Sequence, residues 1–323
     1  MRWYRAWVVI GTVLAAVLAG AGPASAAEHV VAGSLGGQAP SWPFYIAQAK
    51  GFFAAEGIDL ELNFAPSPAQ VAQQLTAGSI VVAVSIGADE PVVAIDKGAP
   101  LALVRIIGDR PPYALIAKPA IKTLADLRGK TIASGSTVDI TDAYLRRMLA
   151  TAGLKPGDYD TLAGGVAAAR FAALQAGSAD AAMVLPPLNF RAEKAGFHTV
   201  ALAADYVHDF PFTAMAVQRP WAEAHKDTVR HILAATDKSV AWFDDTANRA
   251  AAIDVLVKVG KADPADAEAS YDYLRHIDYF AKSSAMPRKK LQALIAVERE
   301  RGLVGKDMTV DRLVLDGVTD LTQ

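Results

Sequence analysis

The sequence of 323 residues contains no cysteine and only six histidines. Without cysteine there can be no disulfide, thiol nucleophile, iron–sulfur cluster or thiolate zinc site. The histidines form no i, i+4 pair and no short cluster with ligand spacing, so we expect no metal site. The 32 basic residues do not exceed the 34 acidic residues, which argues against nucleic acid as a partner.

The common catalytic motifs are also missing. No H-E-x-x-H, G-x-S-x-G or G-x-G-x-x-G motif occurs in the sequence. Gly129-Lys130-Thr131 resembles the end of a phosphate-binding loop, but Leu124 stands where that loop requires its upstream glycine. No stretch of sequence assembles a nucleophile, a base and an orienting acid, although such groups can still converge in the folded chain.

The first 26 residues have the features of a secretory signal peptide. Arg2 and Arg5 precede an uncharged apolar run, and Pro23 and small residues lead to a cleavage pattern that ends at Ala26. An uncleaved membrane anchor is the alternative, because residues 6–27 are just long enough to span a bilayer. We predict cleavage after about Ala26 and a periplasmic protein, because helix-breaking and small residues stand where a peptidase needs them.

Strand and helix patterns alternate through the first two thirds of the chain. Ile80–Val84 and Leu101–Ile107 are continuous apolar runs, as is typical of strands buried on both faces. Helical patterns that end at glycine lie between such runs, which predicts parallel sheets with right-handed crossovers. After the strand-like run Phe212–Val217 the pattern is mostly helical, and we expect this late block to pack back on the first part of the chain.

One short segment occurs twice. Leu75–Ser79 reads L-T-A-G-S and Leu174–Ser178 reads L-Q-A-G-S. Each copy ends a predicted helix at a glycine and leads into a predicted buried strand. Chance similarity in an alanine-rich chain is the alternative, but the shared context favours two lobes of one kind.

Several blocks of the sequence resemble periplasmic solute-binding proteins of ABC importers, in the branch that binds nitrate, sulfonates, taurine and thiamine-pyrimidine precursors. These blocks are Pro43–Ala47, Lys50–Leu60, Leu75–Val84, Thr123–Ala133 and Leu174–Val184. The resemblance implies the type II periplasmic binding protein fold, with two Rossmann-like α/β lobes whose mixed, mostly parallel sheets are joined by a two-strand hinge.

The resemblance also suggests where the lobes divide and what the protein does. We place the crossings near Lys118 and Val217, which gives a first lobe of 28–117 plus 217–323 and a second lobe of 118–216. The family resemblance implies a monomeric binding protein without cofactor that closes on a small organic solute and delivers it to an inner-membrane permease complex. The solute would be a sulfonate, a carboxylate or a pyrimidine-like compound.

Two other functions remain open at this point. One is an exported enzyme on the same fold, since the superfamily includes a pyrimidine synthase and a sulfinate-cleaving hydrolase. Export disfavours the synthase, and the lack of cysteine removes the thiol nucleophile associated with the hydrolase. The other is a sensor module that presents its closed form to a signalling receptor, which the sequence does not separate from uptake.

Ligands of open α/β sheets bind beyond the carboxyl ends of the strands, so we expect ligand-binding residues in loops of both lobes. The candidates are Ser34, Gln38, Ser41, Trp42, Ser85, Gly87, Arg110, Ser136, Thr137, Asn189 and Phe212. Trp42 and Phe212 have a second interpretation as core residues, and Ser136 and Thr137 as capping residues of a helix with Asp139 as its capping-box acid.

The charge of the ligand is left open by these candidates. Arg110 would suit a sulfonate or a carboxylate through a two-point hydrogen bond. Asp89 and Glu90 favour the opposite, because carboxylates accept hydrogen bonds from an amine or from a pyrimidine amino group.

Overall fold

The computed structural model describes residues 27–35, 39–65, 68–135 and 139–323, so the predicted signal peptide lies outside the described part. Within that part the strands are β1 (Glu28–Leu35), β2 (Ile58–Ala65), β3 (Val82–Gly87), β4 (Leu101–Gly108), β5 (Ala114–Ala117), β6 (Thr131–Ser134), β7 (Asp160–Ala163), β8 (Ala181–Val184), β9 (His198–Leu202), β10 (Thr213–Gln218), β11 (Met286–Pro287) and β12 (Leu321–Thr322). The helices are α1 (Trp42–Ala49), α2 (Phe52–Ala55), α3 (Pro68–Ala77), α4 (Asp89–Asp96), α5 (Ile140–Thr151), α6 (Ala167–Gln175), α7 (Leu188–Lys194), α8 (Arg219–Ala224), α9 (Lys226–Asp244), α10 (Arg249–Lys258), α11 (Pro264–His276), α12 (Arg288–Glu300) and α13 (Val310–Leu313).

The strands form two five-stranded sheets of the same design, and β11 pairs separately with β12. The first sheet has the order β2-β1-β3-β10-β4 and the second has the order β7-β6-β8-β5-β9. In each sheet the first three strands pair in parallel, and the fourth runs antiparallel to both of its neighbours. The sheets are therefore mixed but mostly parallel in strand direction, which confirms the predicted fold class.

Local sequence explains which strands of the first sheet are buried. β3 and β4 consist almost entirely of buried aliphatic residues, whereas the edge strand β2 begins with alternating buried and exposed residues. β4 is the last strand of its sheet, yet all eight of its residues are buried. It is covered because the segments around Phe280 and Val314 form β-bridges to Gly108 and Leu103.

The repeated L-x-A-G-S segments occupy equivalent places in the two sheets. α3 leads into β3 through Gly78, and α6 leads into β8 through Gly177. Their φ angles are 76° and 79°, a left-handed conformation that favours glycine and ends a helix. β3 and β8 each stand third in their sheets, so the two segments are the same helix-to-strand turn in two similar units.

The chain crosses between the sheets at 109–113 and at 203–212, and not near Lys118 and Val217 as predicted. β5 pairs with β8 and β9 of the second sheet, and Lys118 after it donates to Asp180 of the same unit at 2.8 Å. Val217 lies in β10, between β3 and β4 of the first sheet. The apolar pattern predicts a buried strand without revealing which sheet it joins, and this is why both boundaries were misplaced.

We use "first lobe" for the part of the chain that carries the first sheet (28–108 and 213–323) and "second lobe" for the part that carries the second (114–202). After β10 the chain is mostly helical, and α9 and α10 pack against α1 in the first lobe. α12 packs against α4 of the same lobe. Among the described residues, no helix is both long enough and apolar enough to span a membrane.

Candidate functional site

Buried polar atoms without a hydrogen-bond partner lie at the carboxyl ends of strands from both sheets. In the first lobe these are Ser85 Oγ in β3 and Glu90 Oε2 in α4, which follows β3. In the second lobe they include Ser134 Oγ at the end of β6 and Asn189 Oδ1 in α7, which follows β8. An unpartnered buried polar group costs about 1–3 kcal/mol, so a group of such atoms marks a place suited to a ligand.

Arg170 supplies a buried positive charge in this region. The residue lies in α6 and is 2% exposed. Its Nη2 donates to Asp139 Oδ2 at 3.0 Å and to the carbonyl of Gly165 at 2.5 Å. Its Nε and Nη1 form no hydrogen bond of good geometry with a described residue, and the Tyr113 hydroxyl is the neighbour of this guanidinium. These N–H groups are suited to a carboxylate, a sulfonate or a carbonyl oxygen.

Asp139 holds that arginine and also begins α5. Its Oδ1 accepts hydrogen bonds from the backbone N–H of Thr141 at 2.9 Å and from Thr141 Oγ1 at 2.7 Å. Asp139 is therefore the N-cap of a helix that starts at Ile140, and not an acid in the first turn of a helix begun by Ser136 and Thr137. The carboxylate bonds both to the helix end and to Arg170, which fixes the guanidinium in place.

Two acids stand on the first-lobe side of the site. Asp89 and Glu90 form the first turn of α4, directly after β3. Burial raises the pKa of Glu90 to about 8, with further contributions from the negative charges of Asp89 and Asp139. Burial also raises the pKa of Asp89, while the charge of Arg301 partly opposes this shift. Glu90 is thus largely protonated at neutral pH and can donate or accept a hydrogen bond.

The electrostatic partners show that the two lobes meet here. The charge of Asp139 in the second lobe raises the pKa values of both Asp89 and Glu90 in the first lobe. Burial raises the pKa of Tyr113 to about 12, and Arg170 opposes this shift while Asp139 and Asp89 add to it. Because Tyr113 lies on a crossing segment, Asp89 and Glu90 of the first lobe and Asp139 and Arg170 of the second lobe lie near this crossing.

Aromatic rings form a wall beside these polar groups. The ring centroid of Phe212 lies 5.7 Å from that of Tyr113, 6.4 Å from that of Tyr144 and 6.3 Å from that of Tyr279. Tyr144 also stacks on Phe210 at 5.6 Å. The hydroxyl of Tyr144 is buried and has no partner. The wall therefore presents both apolar ring area and a free hydroxyl.

Some of the predicted ligand-binding residues lie at this place in the fold. Ser85 and Asn189 each carry an unpartnered buried polar atom, and Phe212 belongs to the aromatic wall. Gly87 ends β3, and a Cβ atom added there would lie 2.8 Å from Asp89 Oδ1. This position has to be glycine, or at least very small, if Asp89 is to keep its place.

The remaining predicted residues, apart from Trp42, divide into three groups. Ser34 and Ser41 are buried and hydrogen-bond to each other through their hydroxyls at 2.6 Å. Arg110 is half-buried on the crossing segment 109–113, so its proposed contact with an anion stays a prediction. The other three candidates lie outside the described residues, namely Gln38, Ser136 and Thr137.

Trp42 is not placed to stack on a ligand, which corrects the prediction. The side chain is 0% exposed, and its indole N–H donates to the carbonyl of Ala252 at 2.7 Å. Its ring makes edge contacts with Phe243 at 5.2 Å and with Tyr271 at 5.9 Å. Trp42 is therefore a core residue that joins α1 to the C-terminal helices.

Sequence reasoning missed Arg170 and Tyr144, although a signal for each was present. Arg170 and Leu174 are four residues apart and therefore share a face of α6, and both are buried. Tyr144 and Met148 share the buried face of α5 in the same way. A charged or hydroxyl-bearing residue in phase with core positions is a candidate for a buried polar site. Within the described residues, no group of three or more histidines and acids is placed to hold a metal ion.

Residues 38–250 match the protein family described as NMT1/THI5 like. The chain belongs to this family. The matched range includes the second lobe, both crossings and all of the first sheet except β1 and the loop after it. This result confirms the resemblance found in the sequence.

Solved structures and one curated relative place the fold more closely. The periplasmic aliphatic sulphonate binding protein SsuA of Escherichia coli is 22% identical, with a TM-score of 0.73 over 90% of this chain and 98% of that one. The alkanesulfonate-binding protein SsuA of Xanthomonas axonopodis pv. citri, bound to MOPS, is 21% identical, with a TM-score of 0.68 over 91% and 98%. The riboflavin-binding protein RibY of Chloroflexus aurantiacus is 34% identical over 94 residues, or 28% of this chain. The chain spans only about a quarter, 26%, of that relative's length.

Proposed function

We propose that this protein is the periplasmic solute-binding component of an ABC importer and that it binds a small organic solute between its two lobes. The observation that carries the proposal is the set of unpartnered buried polar atoms contributed by both lobes. Ser85 and Glu90 supply them on one side, and Ser134, Arg170 and Asn189 supply them on the other. A solute that satisfies both sets stabilises the closed arrangement of the lobes relative to an open one.

The free donors and acceptors define the chemistry of the solute. Arg170 offers donors to an anionic or carbonyl group, whereas Asn189 Oδ1 and Glu90 Oε2 accept from an N–H or O–H group. The aromatic wall accommodates an apolar or planar body. A sulfonate, a carboxylate or a pyrimidine-like compound with a hydrogen-bond donor at the far end fits this pattern. The two SsuA structures are named as sulfonate-binding proteins, which supports a sulfonate. RibY is named as a riboflavin-binding protein, which supports a pyrimidine-like compound.

Export, delivery and the absence of turnover belong to the same proposal. The predicted signal peptide and the family support a periplasmic protein that passes its solute to an inner-membrane permease complex, and we propose that it acts as a monomer. An enzyme on the same fold is the alternative, and the ligand screen below separates it from a binding protein by looking for conversion of the bound compound.

A ligand screen on the mature protein tests the proposal. Thermal unfolding is followed with alkanesulfonates, aromatic carboxylates, aminopyrimidines, riboflavin and nitrate. A true ligand at 100 times its Kd adds about 2.7 kcal/mol to the stability of the folded state. The bound compound is then released by denaturation and identified by mass spectrometry. Recovery of the unchanged compound supports a binding protein, a converted compound supports the enzyme, and no stabilisation by any class contradicts the proposal.

A further inference from the structure

The two lobes also touch through residues of α7 that directly follow Asn189. α7 of the second lobe lies against α11 of the first lobe. Arg191 Nε donates to Asp266 Oδ2 at 3.0 Å, and Nη2 of the same arginine bonds to the same oxygen. The ring of Phe190 meets the ring of Tyr273 at 5.9 Å with an interplanar angle of 78°. Both contacts join residues of different lobes.

Tyr273 connects this contact to the hinge. Its hydroxyl donates to the carbonyl of Pro112 on the first crossing segment at 3.1 Å. Burial raises the pKa of Tyr273, and the negative charges of Asp205 on the second crossing and Glu193 on α7 add to the shift. Asp266 lies seven residues earlier in α11, about 10 Å along the helix. The ion pair is therefore farther from the hinge than Tyr273 is. Rotation about the hinge separates groups more at this greater distance.

The two partners of the ion pair differ in how firmly they are held. The Asp266 side chain is 7% exposed and lies in the first turn of α11, where the N-cap Asp263 fixes the chain. The positive end of the helix dipole stabilises a carboxylate at this position. The Arg191 side chain is 53% exposed and reaches across from the other lobe. The first lobe thus provides a buried acceptor, and the second lobe provides a half-exposed donor.

One helical turn carries both the ligand contact and the lobe contact. Asn189, with its unpartnered Oδ1, is followed directly by Phe190 and Arg191 in α7. A movement of α7 that brings Asn189 to a solute therefore also brings Arg191 to Asp266. Binding and lobe contact reinforce each other, because the same rigid turn makes both.

We propose that Arg191 and Asp266, with Phe190 and Tyr273 beside them, form a latch that stabilises the closed arrangement of the lobes independently of the solute's chemistry. The predicted effect of the latch on ligand affinity rests on the proposed function. Its effect on the opening of the lobes does not depend on any ligand. A residue that shifts the closed population changes the apparent affinity for every solute by the same factor.

Distance measurement between the lobes tests the latch without a ligand. Because the chain has no cysteine, two can be introduced for labelling at exposed positions, Ala150→Cys in α5 and Lys258→Cys in α10. Single-molecule energy transfer is recorded for the wild type, for Arg191→Ala and for Asp266→Asn. The matched control is Arg249→Ala, because Arg249 pairs with Glu268 and Asp272 of the same helix α11 but within the first lobe.

We expect Arg191→Ala and Asp266→Asn to move the unliganded protein toward longer distances and the control to leave it unchanged. Each variant weakens the binding of every ligand found in the screen by up to about fivefold, the size expected for a partly exposed ion pair. The double variant binds ligands no more weakly than the single variant with the larger effect, because the two substitutions remove the same interaction. Unchanged distances and affinities in both single variants overturn the latch. Shifted distances without binding of any compound leave the latch standing and overturn the proposed solute-binding function.

Discussion

Replacing Trp42 by phenylalanine separates a core role of this residue from a role in ligand binding. The indole is fully buried, bonds to the carbonyl of Ala252 at 2.7 Å and contacts Phe243 and Tyr271. Phenylalanine keeps one of the two rings, so the variant loses a hydrogen bond worth about 0.5–1.5 kcal/mol. It also leaves a cavity that adds a further cost of about 1–3 kcal/mol. We therefore expect a total loss of about 1.5–4.5 kcal/mol in the free energy of unfolding.

Urea unfolding of the unliganded protein measures this loss, and titration with a ligand from the screen measures affinity on the same preparation. The control is Trp242→Phe, because Trp242 is half-buried and contacts Lys50 through its ring face at 4.7 Å. We expect the control to lose less than about 1 kcal/mol. A Trp42→Phe variant that keeps the stability of the wild type while its affinity falls tenfold would contradict the core role and would place Trp42 in the ligand site.

Two further predictions concern the protonation of Glu90 and the space around Gly108. The pKa of Glu90 is raised to about 8 from 4.5, so the folded protein keeps a proton that the unfolded chain releases. The contribution of this bound proton to the stability of the folded protein is greatest below pH 4.5 and is lost as the pH rises to 8. Glu90→Gln should flatten the fall of Tm over that range, and an identical pH profile would contradict the assignment. At Gly108 an added Cβ would lie 2.4 Å from Tyr279 Oη and 2.7 Å from Thr213 Oγ1. Gly108→Ala should cost about 1–3 kcal/mol in unfolding experiments, whereas Gly305→Ala, with its nearest neighbour at 3.7 Å, should change little.

The sequence predicted the architecture well because its strongest signals are local. Continuous apolar runs such as Ile80–Val84 indicate strands covered on both faces, and glycines such as Gly78 and Gly177 mark the ends of helices. The repeated L-x-A-G-S segment indicated two similar units, which the two strand orders confirm. The crossings were misplaced because partner choice between buried strands depends on the packing of the whole sheet and leaves no trace in the periodicity of one strand.

The site was only partly predictable for a related reason. Ser85 and Asn189 lie at or just after the ends of buried strands, where the rule for carboxyl ends of strands predicts ligand contacts, and their contact with a ligand stays a prediction. Arg170 and Tyr144 come from helices, and they reach the site because of the direction of their side chains. The role of Trp42 was open to two interpretations, because an aromatic residue near the end of a strand fits a ligand site and a core equally well until its partners are known.

We propose that the protein binds a solute between its lobes through buried polar groups, with Arg170 as the main partner of an acceptor group on the solute. Isothermal titration of the wild type and of Arg170→Gln, each with the compound identified in the screen, tests it most directly. Loss of a charge-assisted bond of about 1.5–3 kcal/mol corresponds to a roughly 10- to 150-fold increase in Kd. Circular dichroism confirms that the variant is folded. An increase of that size in a folded variant is the predicted result, and an unchanged Kd would contradict the account.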